Sequence, residues 1–252
     1  MSNIPLIIAH RGASGLAPEN TLAAFTKAIE IGVDRIEMDL RQTIDGEVVV
    51  LHDKTINRTT NGWGSIRKIS LKKAKRYSAG SWFHHDFSSE RIPTFREVLE
   101  LVDGKTTLLL EIKDGSPYHH GIERNIIRLL NEYDAHDWCI VQSFNDRILN
   151  NFRALPDLHS DIQKLFSAFI PVAPFYGGSR FSYKRLRNYE FAQEVNISYK
   201  YVNPLVVRKV HEMKKKVNVW TVNQPENLVK YMKMGVDGII TDYPDRLKAI
   251  IS

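Results

Sequence analysis

Three carboxylates are placed where predicted strands could present them to a cation. Glu37 and Asp39 are two residues apart on a predicted strand, so their side chains leave the same face. Glu111 follows the apolar run of a later strand. Inward carboxylates repel one another unless a cation lies between them, and their oxygens are ligands that Mg²⁺ and Ca²⁺ prefer. The pattern favours a divalent metal site, whereas the opposite strand register would turn the acids outward toward basic partners.

Two histidines follow apolar runs in the same way, which is a favourable position for proton transfer. His10 and Arg11 come directly after residues 6–9, and His52 and Asp53 follow residues 48–51. An imidazole exchanges protons near neutral pH, so His10 and His52 could act as general acid and base. Arg11, together with the lysine at 113, would supply fixed cations for an anionic group. We expect seven other histidines to be surface residues, namely His84, His85, His119, His120, His136, His159 and His211.

Positioning these residues requires strands that end at one common edge. Short β-branched runs alternate with helical periodicity, and eight candidate strands can be counted, at residues 6–9, 35–40, 107–112, 139–142, 161–165, 196–199, 218–222 and 238–241. Candidate helices lie between them, at residues 21–31, 95–102, 121–133, 147–155, 207–215 and 226–234. The alternation predicts one α/β domain over residues 1–252, a (β/α)8 TIM barrel with its site at the carboxyl ends of the strands. A doubly wound sheet is the alternative, but no Gly-x-Gly-x-x-Gly follows the first strand.

Two segments interrupt the alternation. Asp45-Gly46 predicts a hairpin turn after the second strand. The segment from about 54 to 91 is too long for a simple loop, and we expect a small insertion that caps the barrel through Trp63, Trp82 and Phe83. Residues 165–176 are rich in apolar residues and contain two prolines, so they form either a hydrophobic lip over the site or part of the barrel wall.

Composition excludes several classes of protein. The chain has 252 residues, 43% of them hydrophobic and 25% charged, which is typical of a globular protein. Its net charge is +6, but no nucleic-acid-binding motif accompanies the basic runs, so we do not expect a nucleic acid partner. No apolar stretch is long enough for an integral membrane segment. The lone Cys139 is predicted to be a small core residue, and without a signal peptide pattern a cytoplasmic location is expected.

The order of several short motifs resembles the glycerophosphodiester phosphodiesterase family. The resemblance runs from Ile8 to Pro244, and its matching stretches are His10-Arg11-Gly12, Pro18-Glu19-Asn20-Thr21, Ile36-Glu37-Met38-Asp39, Asp45 to Asp53, Arg58-Thr59-Thr60, Leu110-Glu111-Ile112-Lys113, Trp220-Thr221-Val222-Asn223 and Asp237 to Pro244. One departure is Ile44, where the family commonly has lysine. Residues 143–216 match only loosely.

The resemblance implies a fold, a site and a reaction. It implies a TIM barrel with a small insertion after the second strand, a divalent cation (Mg²⁺ or Ca²⁺) and an acid/base pair. By the same match Arg11 and Lys113 would contact phosphate, and Trp220 would bind substrate. The activity implied is hydrolysis of a glycerophosphodiester to sn-glycerol 3-phosphate and an alcohol. The alternatives are a lysophospholipase D that contacts lipid transiently, suggested by residues 165–176, and a barrel that binds a phosphodiester without turnover.

Overall fold

Strands and helices alternate along the computed structural model, which describes residues 4–115, 118–155, 166–169 and 191–252, the backbone alone for 166–169. The strands are β1 (Leu6–His10), β2 (Arg35–Gln42), β3 (Val48–Val50), β4 (Thr107–Ile112), β5 (Cys139–Ser143), β6 (Phe166–Phe169), β7 (Glu194–Ser198), β8 (Lys216–Trp220) and β9 (Gly238–Thr241). The helices are α1 (Leu22–Ile31), α2 (Leu71–Ala74), α3 (Phe95–Val102), α4 (Ile122–Glu132), α5 (Asp146–Arg153), α6 (Pro204–Glu212), α7 (Pro225–Met234) and α8 (Pro244–Ile251).

The strands form one curled sheet in the order β1-β9-β8-β7-β6-β5-β4-β2-β3. All neighbouring pairs are parallel except β2 and β3, which form the predicted antiparallel hairpin. β1 pairs with β9 on one side and with β2 on the other, so the pairing returns to its start. This is the architecture of a TIM-like barrel, and it brings the carboxyl ends of the parallel strands to one edge.

Apolar alternation in the strands sets the orientation of the acidic residues. Ile36, Met38 and Leu40 of β2 are fully buried in the main hydrophobic core, together with helix residues such as Phe25 and Phe95. Because successive side chains of a strand point to opposite faces, the acids between these three residues point away from the helices. The register that turns the carboxylates outward is therefore wrong.

Local sequence signals account for the helix ends. Thr21 caps α1, accepting a hydrogen bond from the backbone of Ala24, and Gly32 ends it in the left-handed region at φ 73°. Thr94 and Glu97 form a reciprocal capping box at the start of α3. The predicted bounds of α3 and β4 are observed unchanged. None of the described helices combines the length and apolarity needed to cross a bilayer.

The structure contains two elements that the sequence did not predict. Residues 161–165, predicted as a strand, lie outside the described part of the chain, and β6 is found at Phe166–Phe169. That strand pairs with β5 and β7, so the start of the predicted lip belongs to the sheet. The rest of the lip, 170–176, lies outside the described residues. The last helix, α8, was not predicted, because it begins at a proline and is too short to show a clear apolar periodicity.

Residues 51–94, between β3 and α3, pack around a small apolar cluster that also includes Val49 of β3. Its buried members include Ile56, Ile66 and Ile92. The prediction that Trp63, Trp82 and Phe83 attach this segment to the barrel is wrong for the two tryptophans, since Trp63 is 79% exposed and Trp82 is 41% exposed. The isoleucines fill the cluster, which leaves the larger indoles outside it. Cys139 is buried in the main core, as predicted.

Candidate active site

The three predicted metal ligands meet at one edge of the sheet. Asp39 of β2 is in register with Glu111 of β4, and Glu37 is in register with His10 of β1. A carboxylate oxygen from each of the three acids lies within 4.8 Å of the others, and each residue is at most 4% exposed. Strand pairing therefore assembles the cluster from segments that are distant in sequence.

Two cations lie against the carboxylate cluster. Lys113 Nζ is 2.5 Å from a Glu111 oxygen and 3.0 Å from Asp39 Oδ1. Arg11 Nε is 3.3 Å from Asp39 Oδ2, which also accepts a hydrogen bond from Asn20 Nδ2 at 2.8 Å. The backbone N–H of Arg11 donates to Glu37 at 3.1 Å. Three buried acids thus face two cationic side chains, so this part of the cluster carries more acids than bases.

The three acids differ in the direction of their pKa shifts. Burial, together with the neighbouring Asp39 and Glu111, raises the pKa of Glu37 well above its usual range. Burial and Asp39 likewise raise the pKa of Glu111 to about 7. Burial also opposes ionisation of Asp39, but Lys113 and Arg11 outweigh it and lower the pKa of that carboxyl. Removing the mutual repulsion requires further positive charge, and all-oxygen ligands suit Mg²⁺ or Ca²⁺, so the donor set fits a divalent cation.

Each predicted catalytic histidine is held by a carboxylate on its Nδ1 atom. His10 Nδ1 is 2.6 Å from Asp242 Oδ1, and His52 Nδ1 is 2.6 Å from Asp53 Oδ1. Asp242 is fixed in turn by Asn223 Nδ2, which donates to its Oδ2 at 2.6 Å. The opposite ring nitrogen of His10, Nε2, is 4.0 Å from Glu37 Oε2. A carboxylate on Nδ1 selects the tautomer and ring orientation, which is what an acid/base histidine requires.

Arg58 links the two halves of the site. Its guanidinium binds Glu19 with two contacts, at 2.7 and 2.8 Å, and donates to Asp53 Oδ2 at 2.8 Å. Glu19 also accepts a hydrogen bond from Arg11 at 2.8 Å. These contacts lower the pKa of Asp53 to about 2, with the Arg58 hydrogen bond as the largest cause. The Asp53 partner of His52 is therefore ionised at neutral pH.

A cavity of about 280 Å³ opens onto these groups. Phe144 and Trp220 form part of its wall, packed edge to face with ring centroids 5.5 Å apart. Lys113 Nζ lies 5.8 Å from the Phe144 ring. The cavity is thus charged on one side and apolar on the other; its lining residues are His10, Arg11, Glu37, His52, Glu111, Lys113, Phe144, Trp220, Thr221 and Ile240.

The structure brings together every site residue that the sequence predicted. Seven of the eight line the cavity, and the eighth, Asp39, lies buried among them. Glu19, Asn20 and Asp242 were present in the matching motifs but had no assigned role, because only their contacts reveal it. Nothing in the local sequence around Phe144 signals its place in the wall.

One histidine was predicted wrongly. His119 is 3% exposed and packs edge to face against Tyr118, with ring centroids 4.9 Å apart. It lies in the loop between β4 and α4. Burial, and to a smaller extent the nearby positive charge of Arg41, lower the pKa of His119 to about 4. By contrast His84, His85, His120 and His211 are exposed, as predicted, and His136 is half-buried. His159 lies outside the described residues.

Comparison with known proteins agrees with this geometry. Residues 10–246 match the Glycerophosphoryl diester phosphodiesterase family. The chain is 41% identical over 239 residues to the protein YhdW of Bacillus subtilis, with 95% of each chain covered. It is 38% identical to a glycerophosphodiester phosphodiesterase of Caldanaerobacter subterraneus, with 96% of each covered. The chain therefore belongs to the glycerophosphoryl diester phosphodiesterase family.

A solved structure shares the fold. A phosphodiesterase of Oleispira antarctica, in complex with the product sn-glycerol-3-phosphate, superposes with a TM-score of 0.83 at 29% identity. The match covers 98% of this chain and 97% of that one.

Proposed function

We propose that the protein hydrolyses glycerophosphodiesters to sn-glycerol 3-phosphate and an alcohol. The observation that carries the proposal is the convergence of two histidine–carboxylate pairs and three buried carboxylates on one cavity. Family membership and the product named for the Oleispira antarctica structure support it. The 280 Å³ cavity is of a size suited to a small phosphodiester.

Glu37, Asp39 and Glu111 would hold the divalent cation, Mg²⁺ or Ca²⁺. When bound, the cation supplies Lewis-acid polarisation of a phosphoryl oxygen. Arg11 and Lys113 stand beside this site, and their positive charges would bind the phosphate and stabilise charge that develops on it. The contacts that both cations make to the carboxylates hold them in place before substrate arrives.

His10 and His52 would move the protons. One imidazole accepts the proton of the attacking hydroxyl, and the other donates a proton to the leaving alcohol oxygen. Asp242 and Asp53 would keep each ring in the required tautomer and stabilise its protonated form. Water and the 2-hydroxyl of the glycerol moiety, which would give a cyclic phosphate, are both nucleophiles that this pair can serve.

A lysophospholipase D is the second candidate function. It is favoured by the apolar wall of Phe144 and Trp220, against which an acyl chain could bury surface. In this alternative the site and its chemistry are unchanged, and only the alcohol side of the substrate differs. Transient contact with lipid would accompany it.

The remaining proposals concern organisation. We propose one domain over residues 1–252, in which the segment of about 54 to 91 is a small insertion in the barrel. An apolar cluster separate from the main core, built mostly from this segment, supports that division. A cytoplasmic location stays a prediction, for which the buried thiol of Cys139 is the supporting feature.

Turnover measurements test the function. Purified protein is incubated with glycerophosphocholine, glycerophosphoethanolamine or lysophosphatidylcholine, each with Mg²⁺, Ca²⁺ or a chelator. We expect metal-dependent release of sn-glycerol 3-phosphate from the first two. His10→Ala and His52→Ala should each lose about 10²- to 10⁴-fold in rate, while His211→Ala, a change at an exposed histidine, should not. Absence of turnover with every substrate and metal would favour a binding protein, and preference for the lipid would favour the second candidate.

A further inference from the structure

The excess positive charge of the chain is concentrated in one segment. Residues 51–94 contain nine Lys or Arg and three Asp or Glu, a formal net charge of +6, whereas the remaining residues contain 26 of each sign. The whole net charge therefore belongs to the segment between β3 and α3. A local excess of this size creates a positive surface that attracts anionic partners.

The basic run 67–76 within this segment is exposed and largely unpaired. Lys68, Lys72, Lys73 and Arg76 are exposed, and within the part of the chain that the structure describes none of them forms an ion pair. By contrast Arg58 is committed to the active-site network. Four charges are thus available to a partner without breaking an internal contact.

Exposed apolar side chains flank the basic run at both ends. Trp63 is 79% exposed, and its neighbour Asn61 is joined to Ser78 by two hydrogen bonds of 2.8 and 3.2 Å. Ile44 is 66% exposed, and its backbone N–H donates to Ile69 at 3.1 Å. These hydrogen bonds hold the backbone near both hydrophobic residues beside the basic run.

We propose that residues 61–76 together with Ile44 form a docking surface for an anionic lipid bilayer. Basic side chains near a bilayer are attracted by anionic headgroups, and an indole is favoured at the boundary between headgroups and acyl chains. The aliphatic Ile44 has no stacking or hydrogen-bonding role toward a nucleic acid base, but it gains by leaving water in a bilayer. An anionic lipid bilayer is therefore the partner that accounts for both the positive charge and the exposed apolar side chains of this surface.

The segment that carries this surface also carries residues of the active site. Residues 51–94 include His52 and Asp53, and Arg58 of the same segment is hydrogen-bonded to Asp53. Docking would thus hold the enzyme at the surface where phospholipid breakdown releases water-soluble phosphodiesters. The proposal concerns binding and does not depend on which substrate is cleaved.

Cosedimentation with vesicles tests the proposal. The full chain is mixed with vesicles of phosphatidylcholine alone or of phosphatidylcholine and phosphatidylglycerol, and the bound fraction is measured as ionic strength increases. The test variants are Lys72→Glu/Lys73→Glu, which reverses two charges of the basic run, and Trp63→Ala. The matched control is Lys230→Glu/Lys233→Glu, which makes the same change in net charge at exposed lysines of α7.

The unmodified protein should bind vesicles that contain phosphatidylglycerol and should not bind vesicles of phosphatidylcholine alone. Reversing Lys72 and Lys73 should weaken binding by roughly 30-fold or more, since each basic residue contributes about fivefold near an anionic surface. Trp63→Ala should remove the part of binding that persists at high salt. Turnover of soluble glycerophosphocholine should be the same for all variants.

Three results would overturn the proposal. The first is absence of binding to the anionic vesicles. The second is equal weakening by the two charge-reversal pairs, which would mean that net charge alone governs the attraction. The third is tighter binding of the full chain to short duplex DNA than to the anionic vesicles at the same ionic strength, together with loss of the DNA binding in Lys72→Glu/Lys73→Glu, which would assign the surface to nucleic acid.

Discussion

The Nδ1 atom of His10 lies 2.6 Å from Oδ1 of Asp242, although 232 positions separate the two residues in sequence. β1 and β9 are paired neighbours in the sheet, so His10 at the end of β1 and Asp242 just after β9 meet at the same edge. His52 has the equivalent partner in Asp53, the next residue along the chain. Two unrelated local structures thus place an aspartate carboxylate on the Nδ1 atom of each histidine.

We expect Asp242→Asn to reduce kcat by roughly 10²- to 10⁴-fold with a small change in KM. An amide in this position donates a hydrogen bond toward Nδ1 and stabilises the wrong tautomer of His10. The check is steady-state kinetics on glycerophosphocholine beside Asp137→Asn, which alters an exposed acid. A change in KM without a change in kcat would contradict a role through His10.

Arg58→Ala should lower kcat substantially and should also raise KM, because the guanidinium holds Asp53 beside His52 and Glu19 beside Arg11. Arg58→Lys should recover only part of the loss, since an ammonium cannot bind two carboxylates with the planar geometry of arginine. The measurement is kcat and KM for both variants, with thermal unfolding as the control for folding. Full activity of the alanine variant would show that the network is dispensable.

The sequence predicted most of the fold because apolar periodicity and turn residues are local signals. It predicted the barrel, the hairpin at Asp45-Gly46 and the bounds of α3. It failed where packing decides the outcome. Nothing local distinguishes the exposed Trp63 from a core tryptophan, or the buried His119 from a surface histidine.

For the site, the motifs identified the reactive residues but not the contacts between them. The register between β2 and β4 places Asp39 beside Glu111, a pairing that residue spacing alone could not determine. Asp242 and Glu19 acquire their roles from partners far away in the chain, so only the folded structure reveals them. Phe144 forms part of the cavity wall and lies in the loop after β5, where the sequence resemblance is weak.

Removing one of the three clustered acids should sharply weaken binding of Mg²⁺ or Ca²⁺. The conservative changes are Glu37→Gln, Asp39→Asn and Glu111→Gln, each of which keeps the shape but loses a negative charge. Calorimetric titration of folded, chelator-treated protein measures the affinity directly. Glu226→Gln, at an exposed position of α7, serves as the control. Unchanged affinity in all three variants would show that the cluster is not a metal site.

Acid should destabilise the protein through His119. Burial, with Arg41 nearby, lowers its pKa in the folded protein from the ordinary 6.5 to about 4. Between these values the unfolded chain binds a proton that the folded chain does not, so the free energy of unfolding falls as pH decreases from 6.5 to 4. The loss is about 3.5 kcal/mol at most, since one pKa unit corresponds to about 1.4 kcal/mol.

Denaturant unfolding of the parent and of His119→Gln across that pH range provides the measurement. The variant should lose less stability than the parent as pH falls, whatever its stability at pH 7. His120→Gln, at the exposed neighbouring position, should follow the parent curve. Parallel curves for the parent and His119→Gln would mean that this imidazole does not control the acid response.

The wall of Phe144 and Trp220 should decide how the enzyme treats the alcohol part of its substrate. Trp220 lines the cavity and packs edge to face with Phe144, so its truncation to alanine removes a large apolar surface without touching the carboxylates or the histidines. We therefore expect Trp220→Ala to raise KM severalfold and to change kcat little, since interactions equal in the ground and transition states affect KM alone. The effect should be larger for lysophosphatidylcholine, if the parent cleaves it, than for glycerophosphoethanolamine, because an acyl chain buries more apolar area, at about 25 cal/mol per Å². Kinetics of both substrates, beside Leu205→Ala at an exposed position of α6, measure the difference. A loss in kcat equal for all substrates would place Trp220 among the groups that stabilise the transition state rather than in the wall that selects the alcohol.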